Sequence, residues 1–175
     1  MRRSLLLFAS TAGLLCLAVT QASASPTVVP IAWSYNFTPV QSFVSADSPG
    51  TGTATLTNEP TKTATNSSDV VVTNLRVSST APATNPDMFN SGGAWKLGLT
   101  LTDSASGTNS GTLWFTGKLG GSFSSANSNV SDTFTGKTSY TWIASNGNSY
   151  MVSLTGYTPP GPPTASNAGS ISAHV

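Results

Sequence analysis

Hydrophobic and polar residues alternate along most of the chain beyond residue 30. Trp33, Tyr35 and Phe37 alternate with small or polar residues, and the alternation returns in many later segments. A period of two is typical of β-strands with one buried face. This pattern predicts strands near residues 33–37, 51–57, 70–77, 97–101, 113–119, 129–135, 139–144, 149–156 and 169–175.

Turn-forming residues separate these segments. Asn146-Gly147 lies between two alternating segments, which is a strong signal for a β-hairpin. The Pro-rich segment 158–163 predicts a stiff crossover that leads to the last strand. No segment beyond residue 30 has a sustained helical period, and Ser, Thr, Gly and Asn disfavour helices. About nine short strands predict an all-β fold, an antiparallel β-sandwich of jelly-roll or immunoglobulin-like (Ig-like) type.

The first 24 residues resemble an export signal. Arg2 and Arg3 precede an apolar segment over 5–19, and Ala22-Ser23-Ala24 has the small-residue pattern of a cleavage site. The apolar segment is shorter than the roughly 20 residues that span a bilayer, which argues against an uncleaved anchor helix. Lipid attachment at Cys16 fits less well, because bulky leucines precede it. We therefore predict a signal peptide over 1–24 and a single domain over 25–175, located outside the cell or at its surface.

Charged residues are few in this chain. It has seven Lys and Arg and six Asp and Glu, with a net charge of +1, beside 28 serines and 26 threonines. A balance so close to neutral offers no electrostatic surface for nucleic acid. One cysteine and one histidine exclude a disulfide scaffold, a Cys-based zinc site and a three-histidine zinc site. We therefore predict no metal and no cofactor.

The acidic residues do not predict an active site. Most lie in turns or at strand ends, where Asp commonly accepts hydrogen bonds from backbone amides. The loop 103–109 offers oxygen ligands for calcium but a single carboxylate, so a plain hairpin loop is the favoured interpretation. A Ser-His-Asp site would have to use His174, and no Gly-x-Ser-x-Gly motif presents a nucleophile. We therefore predict a surface or edge histidine and no enzymatic activity.

Trp114 is the candidate binding residue. Leu113 and Phe115 flank it, so Trp114 should point away from the core, on the same strand face as Thr116 and Lys118. An exposed aromatic residue on a polar face is a candidate platform for stacking on sugar rings. Trp114, Thr116 and Lys118 are thus the predicted ligand-binding residues. The alternative is that Trp114 packs beneath a loop or a second sheet.

Several phrases of the sequence resemble a family of small secreted β-rich proteins of planctomycete-type bacteria. They are NEPTKTAT (58–65), SDVVVTNLRV (68–77), FTGK (115–118), YTPPGPP (157–163) and AGSISAHV (168–175). Members of that group are similar to PEP-CTERM exported proteins, which end in a Pro-Glu-Pro motif, an apolar helix and a basic tail for surface sorting. The sequence up to Val175 has none of these three, so sorting by that route is not expected. The resemblance implies secretion and a β-domain and supplies no active site.

Taken together, these features predict a secreted, non-enzymatic β-sandwich protein with a structural or adhesive role at the cell surface or in the extracellular matrix. Its expected partners are polysaccharides or surface and matrix proteins, with no nucleic acid and no membrane span after signal cleavage. The alternative function is a carbohydrate-binding module with its aromatic platform near Trp114.

Overall fold

The computed structural model describes residues 29–47, 51–90, 93–165 and 167–175. The predicted signal peptide over 1–24 lies outside these residues. The described ranges contain no helix, and hence none that is long and apolar enough to cross a membrane. They contain twelve strands: β1 (Ala32–Pro39), β2 (Phe43–Ser45), β3 (Thr53–Thr57), β4 (Glu59–Thr65), β5 (Asp69–Ser78), β6 (Asp87–Phe89), β7 (Ala94–Asp103), β8 (Leu113–Phe123), β9 (Ser128–Phe134), β10 (Ser139–Ile143), β11 (Ser149–Thr158) and β12 (Gly169–His174).

The strands form two antiparallel sheets of six strands each. In the first, here called the β8 sheet, the order is β4-β1-β7-β8-β6, and β9 also pairs with β8. In the second, called the β12 sheet, the order is β10-β11-β12-β5-β3-β2. The all-β fold predicted from the alternation is therefore confirmed.

Side chains from both sheets share one hydrophobic core. Trp33 of the β8 sheet is fully buried, and its ring centroid lies 6.4 Å from that of Tyr150 in the β12 sheet. Phe115 is also fully buried, and its ring lies 5.1 Å from Tyr140, edge to face. Full burial of a large apolar side chain stabilises the fold by roughly 1.5–3 kcal/mol. The aromatic residues on the inward-facing positions of the alternating segments thus lie in the core, where they contact residues of the opposite sheet.

All nine predicted segments are strands, and three further strands were not predicted. Two of these, β2 and β6, have only three residues, too few to show alternation. The third, β4, lies at the edge of the β8 sheet, is mostly exposed and contains Pro60, which edge strands tolerate. Asn146-Gly147 joins β10 to its neighbour β11, as predicted. The Pro-rich segment joins β11 to β12, which pair directly, so its interpretation as a crossover was wrong.

Gly117 lies where Trp95 approaches the backbone of β8. A Cβ atom at this position would collide with Cζ2 of the buried Trp95 ring. The ring is held in place because its Nε1 donates a hydrogen bond to Asp132 Oδ1 at 2.8 Å. A side chain at position 117 must therefore displace a ring that is fixed on its other side.

We expect Gly117→Ala to lower the free energy of unfolding by about 1–3 kcal/mol, the usual range for overpacking a core. Gly156→Ala is the matched control, because a Cβ atom there meets nothing within 4 Å. Urea denaturation of both variants measures the difference. Equal stabilities would contradict the close packing of Trp95 on β8.

Candidate functional site

Trp114 points away from the core, as the alternation of β8 predicted. It is 42 % exposed, whereas its neighbour Phe115 is fully buried. The alternative, in which Trp114 packs beneath a loop or the second sheet, is wrong. An aromatic ring is thus presented on the outer face of the β8 sheet.

The indole of Trp114 lies against two residues of the neighbouring strand β7. Gly98 pairs with Trp114, and a Cβ atom at Gly98 would be 2.9 Å from Cζ3 of the ring. The missing side chain therefore lets the ring approach the backbone. Lys96 Nζ lies 4.2 Å from the ring centroid, a cation–π contact that covers one ring face and restrains the indole.

A cleft of about 260 Å³ borders the Trp114 ring. Strands β1, β7 and β8 contribute to it, because Thr38 pairs with Gly98 and Asn36 pairs with Thr100. Hydroxyl and amide groups dominate its polar lining. The lining residues are Asn36, Thr38, Pro39, Val40, Gly98, Thr100, Thr112 and Trp114. Such a surface combines a flat aromatic group with several hydrogen-bond donors and acceptors.

The main chain at Trp114 is fixed by the opposite sheet. The hydroxyl of Tyr140, on edge strand β10, donates a hydrogen bond to the carbonyl oxygen of Trp114 at 2.6 Å. The Tyr140 ring packs edge-on against Phe115, and Lys137 Nζ lies 4.5 Å from its centroid. Trp114 therefore lies on a strand that is held by its pairing with β7 and by the hydrogen bond from Tyr140 of the opposite sheet.

Thr116 and Lys118 share the outer face of β8 with Trp114 but do not line the cleft. The Thr116 hydroxyl is 3.5 Å from that of Thr135, in the segment that follows β9. Lys118 is exposed and lies four positions along the strand, roughly 13 Å from Trp114. The lysine beside Trp114 is Lys96, which pairs across the sheet with Thr116. Sequence analysis missed it, because alternation within one strand does not give the register of the next.

Asp103 is fully buried at the end of β7 and accepts hydrogen bonds from neutral donors. The Tyr150 hydroxyl donates at 2.5 Å, Asn148 Nδ2 at 2.8 Å, Asn146 Nδ2 at 3.0 Å and the Ser106 amide at 2.7 Å. The bonds from Tyr150 and Asn148 chiefly hold the pKa of this carboxyl well below its usual range. The carboxylate oxygens of Asp103 therefore already have hydrogen-bond partners within the protein. Within the described ranges, no three His, Cys, Asp or Glu side chains are grouped to hold a metal ion.

His174 lies on the outer face of the β12 sheet, between a serine and an aspartate. It pairs with Asp69 of β5, and its Nδ1 is 2.7 Å from Asp69 Oδ1. Its Nε2 is 2.6 Å from the hydroxyl of Ser67, in the turn between β4 and β5. The predicted surface histidine is confirmed, with 46 % of its side chain exposed. The three-residue arrangement was not predicted, because it depends on the pairing of β12 with β5.

Comparison with protein-family models, with curated proteins and with solved structures finds no match to this chain. The resemblance to planctomycete-type exported proteins therefore stays a prediction.

Asp132 carries the one carboxyl among the described residues whose pKa is clearly raised. Burial raises the pKa of Asp132 to about 6, although Trp95 Nε1 donates to its Oδ1. Its Oδ2 is buried and has no hydrogen-bond partner within the described part of the chain. The native state therefore binds a proton that the unfolded chain releases at lower pH.

This carboxyl should favour folding at low pH and lose that contribution as the pH rises through about 6. The side chain of Asp132→Asn does not titrate and still accepts the hydrogen bond from Trp95. We expect the variant to gain stability relative to the wild type as the pH rises from about 4 to 7. Urea denaturation across this range measures the difference.

Asp103→Asn is the control of opposite sign. Because the native pKa of Asp103 is lowered, this variant should lose stability relative to the wild type, and the loss should grow as the pH rises from about 2 to 5. A pH-independent difference for Asp132→Asn would show that the Asp132 carboxyl is not perturbed by burial.

Proposed function

We propose that this protein is an extracellular adhesive module that binds polysaccharide on the outer face of the β8 sheet. One observation carries the proposal: an exposed indole lies beside a cleft lined by hydroxyl and amide groups. The C–H face of a sugar ring stacks on an aromatic plane, while its hydroxyl groups need hydrogen-bond partners nearby. Trp114 supplies the plane, and Asn36, Thr38 and Thr100 supply partners.

The charge around the cleft supports a neutral polysaccharide as ligand. No acidic or basic side chain lines the cleft itself. Lys96 contacts the Trp114 ring directly, so its ammonium group is partly used within the protein. Attachment of this kind uses no catalytic group.

A structural role through protein contacts is the second candidate. Phe43 is 56 % exposed on β2, which forms one edge of the β12 sheet. Exposed edge strands are sites where a second chain adds by backbone pairing. Matrix or surface proteins, including further copies of this chain, are the partners that suit this edge.

The proposal includes the export and the architecture inferred from the sequence. We propose that residues 1–24 direct secretion and that the protein acts outside the cell or at its surface. We also propose that the two sheets stack as a β-sandwich, of which the contacts of Trp33 with Tyr150 and of Phe115 with Tyr140 are the support. Such a sandwich leaves the two outer faces available for partners.

We expect Trp114→Ala to weaken binding to an insoluble neutral polysaccharide by about tenfold or more. Truncating a central aromatic anchor usually costs more than about 1 kcal/mol, and about 1.4 kcal/mol corresponds to a factor of ten. Trp114→Phe should retain part of the binding. A pull-down of the purified protein on a panel of polysaccharides measures the effect.

Phe43→Ala is the matched control, since it removes an exposed aromatic residue from the other sheet. It should bind polysaccharide as the wild type does. Absence of binding by the wild type, or equal loss in both variants, would overturn the role of Trp114. Self-association that Phe43→Ala abolishes would favour the structural role instead.

A further inference from the structure

Ser67, His174 and Asp69 have the geometry of a nucleophile with its general base. Asp69 is a carboxylate and accepts only, so His174 Nδ1 carries the proton of the bond to Asp69 at 2.7 Å. In the neutral imidazole, Nε2 is then the acceptor for the Ser67 hydroxyl at 2.6 Å. This is the order of contacts by which a base removes a proton from a serine during acyl transfer.

The turn that holds Ser67 is fixed by its neighbours in the chain. Asn66 has a left-handed backbone, with φ of 52°, which is uncommon outside glycine. Its amide donates to Ile31 O at 2.8 Å, and its carbonyl accepts from Trp33 Nε1 at 2.8 Å. On the other side, Ser68 and Val175 exchange two backbone hydrogen bonds of 2.8 and 3.0 Å. The serine hydroxyl is therefore presented on a restrained segment rather than on a free loop.

A groove of about 380 Å³ opens beside Ser67 and His174. Its apolar lining comes from Ile31, Met151 and Val175, and Met151 is 60 % exposed. Volumes of roughly 300–1,000 Å³ are usual for small-molecule sites. The groove therefore suits a small substrate with an apolar group next to the serine.

The main-chain amide of Ser67 donates no hydrogen bond to any residue that the structure describes. An unpaired amide at the nucleophile is a donor for the oxygen on which negative charge develops. Asp69 is 82 % exposed, so water competes with its contact to His174. These features favour reactive carboxylic esters over amides, whose leaving groups need stronger activation.

We propose that Ser67 cleaves carboxylic esters with short apolar acyl groups, with His174 as general base and Asp69 as a positioning residue. Ser67 Oγ bonds to the carbonyl carbon while His174 Nε2 takes the hydroxyl proton. The ester C–O bond then breaks, and the leaving alcohol takes that proton from His174. Water repeats the sequence on the acyl-serine, which releases the carboxylic acid and restores Ser67. This activity departs from the expectation of a non-enzymatic protein and is independent of the Trp114 surface.

A fluorophosphonate probe tests the proposal on the purified protein. We expect one covalent adduct, mapped to Ser67 by peptide mass spectrometry. Removing a general base typically lowers rates by about 10²–10⁴-fold, and the exposure of this site places the expected loss for His174→Gln near 100-fold. Ser67→Ala should abolish labelling. Ser145→Ala is the matched control, because this serine is exposed in the hairpin between β10 and β11 and lies outside the groove. This variant should react as the wild type does.

Hydrolysis of p-nitrophenyl acetate tests the positioning role. Asp69→Asn should lower kcat about tenfold and leave KM and the thermal midpoint unchanged, which a purely structural contact would not do. No adduct on the wild-type protein, or adducts at other serines at equal rate, would overturn the proposal whether or not the variants fold. Wild-type labelling rates in His174→Gln would do the same, since the three residues would then only fasten β12 to the turn.

Discussion

The buried carboxylate of Asp103 constrains how the two sheets pack, because a charge removed from water needs hydrogen-bond donors around it. It ends β7 in the β8 sheet, and three of its donors, Asn146, Asn148 and Tyr150, belong to the hairpin of β10 and β11 in the β12 sheet. No cation in the described part of the chain is paired with it. A buried charge is stable only when fixed dipoles replace its hydration, and here neutral donors do so. Because the chain has a single cysteine, no internal disulfide provides a second link between the sheets.

Aromatic residues of the core connect Asp103 to the surface turn that holds Ser67. Asp103 accepts a hydrogen bond from the hydroxyl of Tyr150 and so fixes its position. Burial and, to a smaller extent, this hydrogen bond raise the pKa of Tyr150 to about 12. The Tyr150 ring packs edge-on against Trp33, and the Trp33 indole donates to Asn66, the residue before Ser67. Tyr150 also lines the groove beside that serine. The exposed hydroxyl of Ser67 is thus connected, through buried contacts of Tyr150 and Trp33, to Asp103 at the end of β7.

The sequence predicts the direction of a side chain within one strand, but it does not predict which residues of two paired strands become neighbours. Alternation within β8 was enough to predict that Trp114 points outward and Phe115 inward. Lys96 and Gly98 determine the setting of the Trp114 ring, but their approach follows from the register of β7 against β8. The strands β2, β4 and β6 escaped prediction for the same reason, since short or edge strands are defined by pairing rather than by their own pattern. His174 and Asp69 are 105 positions apart, and only the register of β12 against β5 makes them neighbours.

The two surface sites lie on a protein that has few charged residues and many hydroxyl groups. At one site Lys96 lies against the indole of Trp114, and at the other His174 contacts the hydroxyl of Ser67. Each lies on the outward face of a different sheet and is aligned by a separate pair of strands. The two sites are nevertheless linked through the core, because β7 carries both Gly98, which lies beneath the Trp114 ring, and Asp103, which holds the hydroxyl of Tyr150.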